Sequence, residues 1–209
     1  MKFRRTVPLI LLVLLCAIPA FASEIREFDI KTLERLGNEL TRVSQTADRK
    51  RAKQTAIAAL KGKLFDIRYN YVVLDDPNGN GFLVYALGAG GQGQYVLAGH
   101  VRVSVSADGA TVKRIDPLSH TLVIEDQKHN SMAKDNTPIG LIYSQIVSNK
   151  PVETLIYISN HARQPVFVGT PDHKIWQVAN GKMFIDHSKP GANTAASVAH
   201  KSFQENDGW

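Results

Sequence analysis

The sequence predicts an α+β domain, with a long N-terminal helix packed on a mainly antiparallel β-sheet and one further short helix. Three observations carry this reading. An apolar stripe at helical spacing runs through residues 29–63, short β-rich runs begin at Ile67, and the later segments lack the strand–helix alternation of a parallel sheet.

The chain of 209 residues opens on Lys2, Arg4 and Arg5, then an almost unbroken apolar run from Val7 to Ile18, then Ala20-Phe21-Ala22 before Ser23. That is the layout of a secretory signal peptide over residues 1–22. Bulky Leu15 before Cys16 argues against a lipid attachment signal, and Thr6-Val7-Pro8-Leu9 after Arg4-Arg5 fits twin-arginine export poorly. The expected product is an exported, periplasmic protein with a single domain over residues 23–187. No transmembrane segment remains after cleavage, because no second run of about 18 apolar residues follows. Cys16 is the one cysteine, so the mature chain has no disulfide, no thiol nucleophile and no cysteine-based zinc site.

The signal carries three of the 25 Lys and Arg and none of the 19 Asp and Glu, so cleavage lowers the net charge from +6 to +3. The remaining charge is uneven. Arg42 to Lys63 holds seven basic residues against Asp48 alone.

Helix is expected over residues 29–63 from Leu33, Leu36, Leu40, Val43 and Ala47, then Ala56, Ala59 and Leu60. The stripe thins through Asp48-Arg-Lys-Arg-Ala-Lys-Gln54, so one long helix or two shorter ones satisfy the pattern. Strands are expected at Ile67–Leu74, Gly81–Leu87 and Tyr95–Ala107. In the last, Val101, Val103 and Val105 alternate with His100, Arg102, Ser104 and Ser106, the pattern of a strand with one solvated face. Asp108-Gly109 reads as a hairpin turn into Thr111–Ile115, and Thr121–Asp126 as another strand. Thr137-Pro138 looks like a helix start, with Ile139, Ile142, Ile146 and Val147 on one face. Val152–Ser159, Pro165–Gly169, Lys174–Ala179 and Lys182–Asp186 read as strands, the last two joined by Asn180-Gly181. Residues 188–209 are small and polar, with the composition of a disordered tail.

Gly88-Ala-Gly90-Gly-Gln-Gly93 spells a dinucleotide-binding motif, but a strand follows it where the chemistry needs a helix N-terminus to hold pyrophosphate. It is expected to be a flexible hairpin loop, a glycine-rich turn between two strands. Asp76-Pro-Asn78-Gly-Asn80-Gly81 imitates a calcium loop, yet its twelfth position is Leu87 instead of a bidentate Glu, so a polar turn is expected there too.

The seven histidines are scattered and show no zinc-protease spacing, and no nucleophile elbow is present. No metal ligands, catalytic residues or cofactor are therefore assigned. The most suggestive polar cluster is His100, Arg102 and Ser104 on one strand face. Arg49, Lys50, Arg51 and Lys53 are the candidate partner-binding residues, through an acidic protein surface or, more weakly, anionic lipid head groups. Nucleic acid is not expected, because no aromatic residue lies between Phe28 and Phe65 to interleave with the basic ones.

Gly99–Ser119 and Gln164–Val178 resemble a loose group of exported bacterial proteins without an assigned activity, over about half the mature chain. The shared residues, around Asp108-Gly109 and the strands ending at Trp176, keep a fold; the resemblance implies an architecture and no function. Export together with missing catalytic signatures points to a small binding or interaction protein, such as an inhibitor or immunity factor for an envelope-targeting enzyme. The alternatives are an envelope hydrolase whose site only the fold assembles, and a carrier of lipid or a small ligand.

Overall fold

Strand β2 (Gly81–Ala89) has core on both sides. Leu83, Tyr85 and Leu87 point one way and Val84 and Ala86 the other, and all five are buried. A computed structural model describes residues 25–40, 47–126 and 140–186; the expected signal peptide (1–22) and the expected tail (188–209) lie outside them. β2 pairs with β1 (Arg68–Asp75) and β4 (Val101–Ser106), and β4 with β5 (Val112–Pro117), in an antiparallel sheet of order β1-β2-β4-β5. β3 (Gln94–Ala98) and β6 (Val123–Asp126) form a separate antiparallel pair. A third sheet has order β10-β9-β8-β7, from β7 (Leu141–Ser144), β8 (Val166–Gly169), β9 (Ile175–Ala179) and β10 (Lys182–Ile185).

The expected α+β arrangement does not form. The protein is mostly β, with ten strands in three sheets and three short helices among the described residues. α1 (Ile30–Glu39) has only ten residues, and its stripe of Leu33, Leu36 and Leu40 packs on α3 (Thr154–Ala162) instead of a sheet. Gly37 makes the close approach: a Cβ there would lie 2.5 Å from the Glu153 carbonyl oxygen and 2.6 Å from Ile156 Cβ. Asp29 caps α1 by accepting from the Thr32 amide at 3.0 Å.

The helix that lies on a sheet is α2 (Ala47–Leu60), so the basic region and the first stripe belong to two helices. Ala52, Ala56 and Leu60 repeat every four residues, and two are alanine, so the helix lies close over Val84, Ala86, Val101, Val103 and Val105. The opposite face of the same sheet turns toward the larger core.

Two further elements exchange roles. The helix expected after Thr137-Pro138 is strand β7 where it is described, and the strand expected at Val152–Ser159 is mostly α3. The reason is burial. Leu155, Ile156, Ile158, Ser159 and Ala162 are all buried, and a helix enclosed nearly all round loses the one-sided stripe that marks a surface helix. α3 ends at Arg163 in the left-handed region (φ 55°) and Pro165 follows. β7 and β8 pair in parallel through this helix, a strand–helix–strand unit the sequence did not predict. Every other paired strand is antiparallel, as expected.

The turns match their chemistry. Asn180 (φ 53°) and Gly181 (φ 74°) both take positive φ between β9 and β10, the geometry of a two-residue type I′ hairpin. Asp76–Asn80 closes the β1–β2 hairpin, with Asp76 N–H donating to the Gly81 carbonyl at 3.0 Å. Gly99 (φ 107°) splits the expected strand 95–107 in two, taking the chain from the β3–β6 pair into the β4 sheet.

Candidate functional site

His100, Arg102 and Ser104 do share one side of the strand, but that side is buried and not solvated. Arg102 has no exposed surface, and His100 and Ser104 retain 2% and 3%. The valine side of β4 is covered by α2 and the polar side by the main core, so alternation marks two faces without marking a wet one.

Arg102 is the centre of a charge cluster. Its Nη1 donates to Glu153 Oε1 at 2.6 Å, its Nε and Nη2 to Asp116 Oδ2 at 3.3 and 3.0 Å, and its Nη2 also to the Arg26 carbonyl at 2.5 Å. Tyr85 O–H donates to the same Glu153 oxygen at 2.7 Å. Arg114 pairs with Asp116 Oδ1, which also accepts from the Arg26 amide. Phe28 lies beneath two guanidinium groups, 4.7 Å from Arg102 Cζ and 4.9 Å from Arg26 Cζ. One buried side chain thus ties β2, β4, β5, the start of α3 and the N-terminal segment together.

Electrostatics favours the charge on the arginine. Burial works against that charge, but the Glu153 and Asp116 carboxylates outweigh it and hold the guanidinium more firmly protonated than usual. Burial, then the Glu153 charge, pushes the Tyr85 hydroxyl well above its ordinary range. Glu153 Oε2 and Ser104 Oγ are buried and meet no hydrogen-bonding partner among the described residues.

His100 takes no part in the cluster. Its Nδ1 accepts from the Gly88 amide at 2.9 Å, so Nε2 carries the proton and donates to the Val96 carbonyl at 3.0 Å. Burial lowers its pKa to about 4, in keeping with a neutral ring. Both ring nitrogens are engaged by backbone, so this strand face assembles no serine–histidine pair.

The four basic residues lie on α2. Arg49 pairs with Asp75 at 2.8 Å, Arg51 donates to the Asp108 carbonyl at 3.4 Å, Lys53 sits 6.0 Å from the Tyr71 ring centre, and Lys50 is exposed. Part of this charge therefore anchors the helix to the sheet beneath it.

The glycine motif ends β2 and holds a turn, as expected, but the strands on either side lie in different sheets, so it does not close the expected hairpin. Gln94 N–H donates to the Gly91 carbonyl at 3.2 Å and Gln94 Oε1 accepts from the Gly91 amide at 3.0 Å. Its neighbouring helix is α3, which meets the cleft with Tyr157, Ile158 and His161 from its flank and not with the N-terminus that a pyrophosphate needs. In the Asp76 turn, burial works against the carboxylate, but Arg26 grips it through both oxygens at 2.6 and 2.8 Å and holds its pKa below the usual range. The carboxylate that a calcium loop needs first is thus bound to a guanidinium.

An open cleft of about 200 Å³ lies between the glycine loop, β1 and α3. Arg68, Asn70, Gln94, Tyr95, Tyr157 and His161 line it, together with loop backbone from Gly88 to Gly91. The Tyr157 and His161 rings are stacked (centroids 6.1 Å apart, 8° between planes), and Tyr95 meets His161 edge-on at 6.0 Å. Arg68 and Asn70 are exposed on β1, while burial raises the Tyr157 hydroxyl pKa. Sequence reasoning named none of these six. They come from three separate stretches, and no local pattern joins them. The Arg102–Asp116 pair did leave a signal: the two lie opposite each other across the hairpin at Asp108-Gly109.

No family model, curated protein or solved structure matches the chain. Among the described residues no helix is long and apolar enough to cross a membrane.

Proposed function

We propose that the protein is an exported binding protein that takes a small polar ligand in the cleft between the glycine loop, β1 and α3. The observation that carries this reading is the cleft lining. Planar polar side chains and aromatic rings converge on one concave surface, where a small polar molecule meets several hydrogen-bonding groups at once. No Asp, Glu, Ser, Thr or Cys lines it among the described residues, so it offers neither a carboxylate pair nor a nucleophile beside its base. That favours binding over hydrolysis, and the polar lining favours a polar ligand over lipid.

The test is to purify the protein from its own compartment and identify co-purifying small molecules by mass spectrometry. An Arg68→Gln/Asn70→Ala variant serves as the control. A polar compound retained unchanged by wild type and lost from the variant is expected. Equal retention by both proteins would contradict the reading. The intact mass of the same sample is expected to place the N-terminus at Ser23.

A second reading, a protein partner met through α2, is favoured by one observation. Lys50 and Arg51 stand exposed on the side of that helix opposite Ala52, Ala56 and Leu60.

A further inference from the structure

Granting that the cleft binds a small polar ligand, we infer that the ligand is a neutral saccharide, held one ring deep by the Tyr157–His161 wall and by Asn70, Gln94 and Arg68. A sugar ring needs two kinds of surface at once. Its C–H face is apolar and lies well on an aromatic face, whose negative quadrupole attracts the polarised C–H groups. Its rim carries adjacent hydroxyls, each a donor and an acceptor.

The cleft supplies both. The stacked Tyr157 and His161 rings, braced by the edge of Tyr95, form the aromatic wall. Asn70 and Gln94 end in amides and Arg68 in a guanidinium, planar groups whose paired polar atoms match neighbouring hydroxyls. Gln94 Oε1 already accepts from Gly91, which leaves its NH₂ to donate to a ligand.

The glycine loop is closely packed on β3: a Cβ at Gly90 would lie 2.9 Å from both Gln94 Cβ and the Gln94 carbonyl oxygen, so the loop keeps this side of the cleft free of a side chain.

Two features decide size and charge. At about 200 Å³ the cleft falls below the range of roughly 300–1,000 Å³ typical of drug-sized ligands, so it admits one ring or the end of a chain. Arg68 alone would invite an anion. However, Arg68 is exposed on the edge strand β1, where solvent screening weakens its pull on an anion. A neutral polyhydroxylated ring satisfies both constraints.

The experiment is a titration of the ¹⁵N-labelled protein, followed by amide shifts, with five probes: N-acetylglucosamine, glucose, galactose, glucuronate and acetate. At least one of the three neutral sugars is expected to shift Arg68, Asn70 and Gly88–Gln94 amides saturably, and more tightly than glucuronate. Asn70→Ala, on an exposed strand position, and Tyr157→Leu are each expected to weaken that binding about tenfold, as a lost polar or stacking contact does. Saturable shifts with acetate or glucuronate alone would overturn the saccharide and leave the binding reading in place. No saturable shift of these amides with any probe would also overturn the saccharide, and the co-purification experiment would then decide the binding reading by itself.

Discussion

The Arg102 cluster and the glycine-loop cleft are both built from polar side chains on strands and on α3, yet they differ in what those side chains face. Around Arg102 the guanidinium, Asp116, Tyr85 and one Glu153 oxygen bond to one another inside the protein. In the cleft, Arg68 and Asn70 face solvent on the outer strand β1. An arginine with its donors bonded internally holds elements together, and an arginine on an open rim has donors to offer a ligand. Residue type does not separate the two; the layer that covers each strand does.

Removing the centre of the closed cluster is expected to have the largest effect. Arg102→Met leaves Asp116 and Glu153 buried without their shared cation, at a cost of about 3–5 kcal/mol. Urea unfolding at neutral pH measures this. A loss below about 1 kcal/mol would mean that water reaches the cluster, and the contrast with the cleft would collapse.

Next comes His100, whose neutral ring bridges Gly88 and Val96. The unfolded chain protonates this ring near pH 6.5 and the folded chain only near about 4, so the unfolded state binds more protons between those values. Stability from this residue is complete above about 6.5 and falls as pH drops toward about 4, by on the order of 3 kcal/mol. His100→Gln keeps an acceptor and a donor but removes the titration. Its unfolding free energy is expected to change less than that of wild type across the window, and parallel profiles would contradict the assignment.

A surface pair sharpens the comparison further. Arg49–Asp75 has the same charges as the buried pairs, but Asp75 is 71% exposed, so Arg49→Gln is expected to cost no more than about 1 kcal/mol. Smallest of all should be Asn70→Ala, expected to leave the unfolding free energy within about 0.5 kcal/mol of wild type while weakening ligand binding. A much larger loss of stability would show that β1 needs that amide for its own structure.

How far these features can be read from sequence depends on the range of the cause. Asn180-Gly181 and Asp108-Gly109 were legible because positive φ is decided by the turn residues themselves. The stripe of α1 was legible as a stripe, but its partner α3 is more than a hundred residues away, so the packing of that helix was not. α3 was misread because enclosure removes the one-sided pattern that separates helix from strand. β7 was misread because the spacing of Ile139, Ile142, Ile146 and Val147 imitates a helix, while the side chains that alternate into the core are Leu141 and Tyr143. The alternation on β4 was read correctly as two faces and wrongly as one dry and one wet. Glu153, 51 residues along the chain from Arg102, closes the polar face, and nothing local announces it.

The most direct test of the contrast is a single arginine side-chain ¹⁵Nε–¹H spectrum, recorded with and without the neutral sugars and assigned through Arg68→Gln and Arg102→Met. The expected result is an Arg102 Nε–H that exchanges slowly with solvent and does not move on addition of sugar, beside an Arg68 Nε–H that exchanges rapidly and shifts or broadens when the sugar binds. An Arg102 signal that exchanges as fast as that of Arg68, or follows the ligand in its place, would contradict the division between a closed strut and an open site.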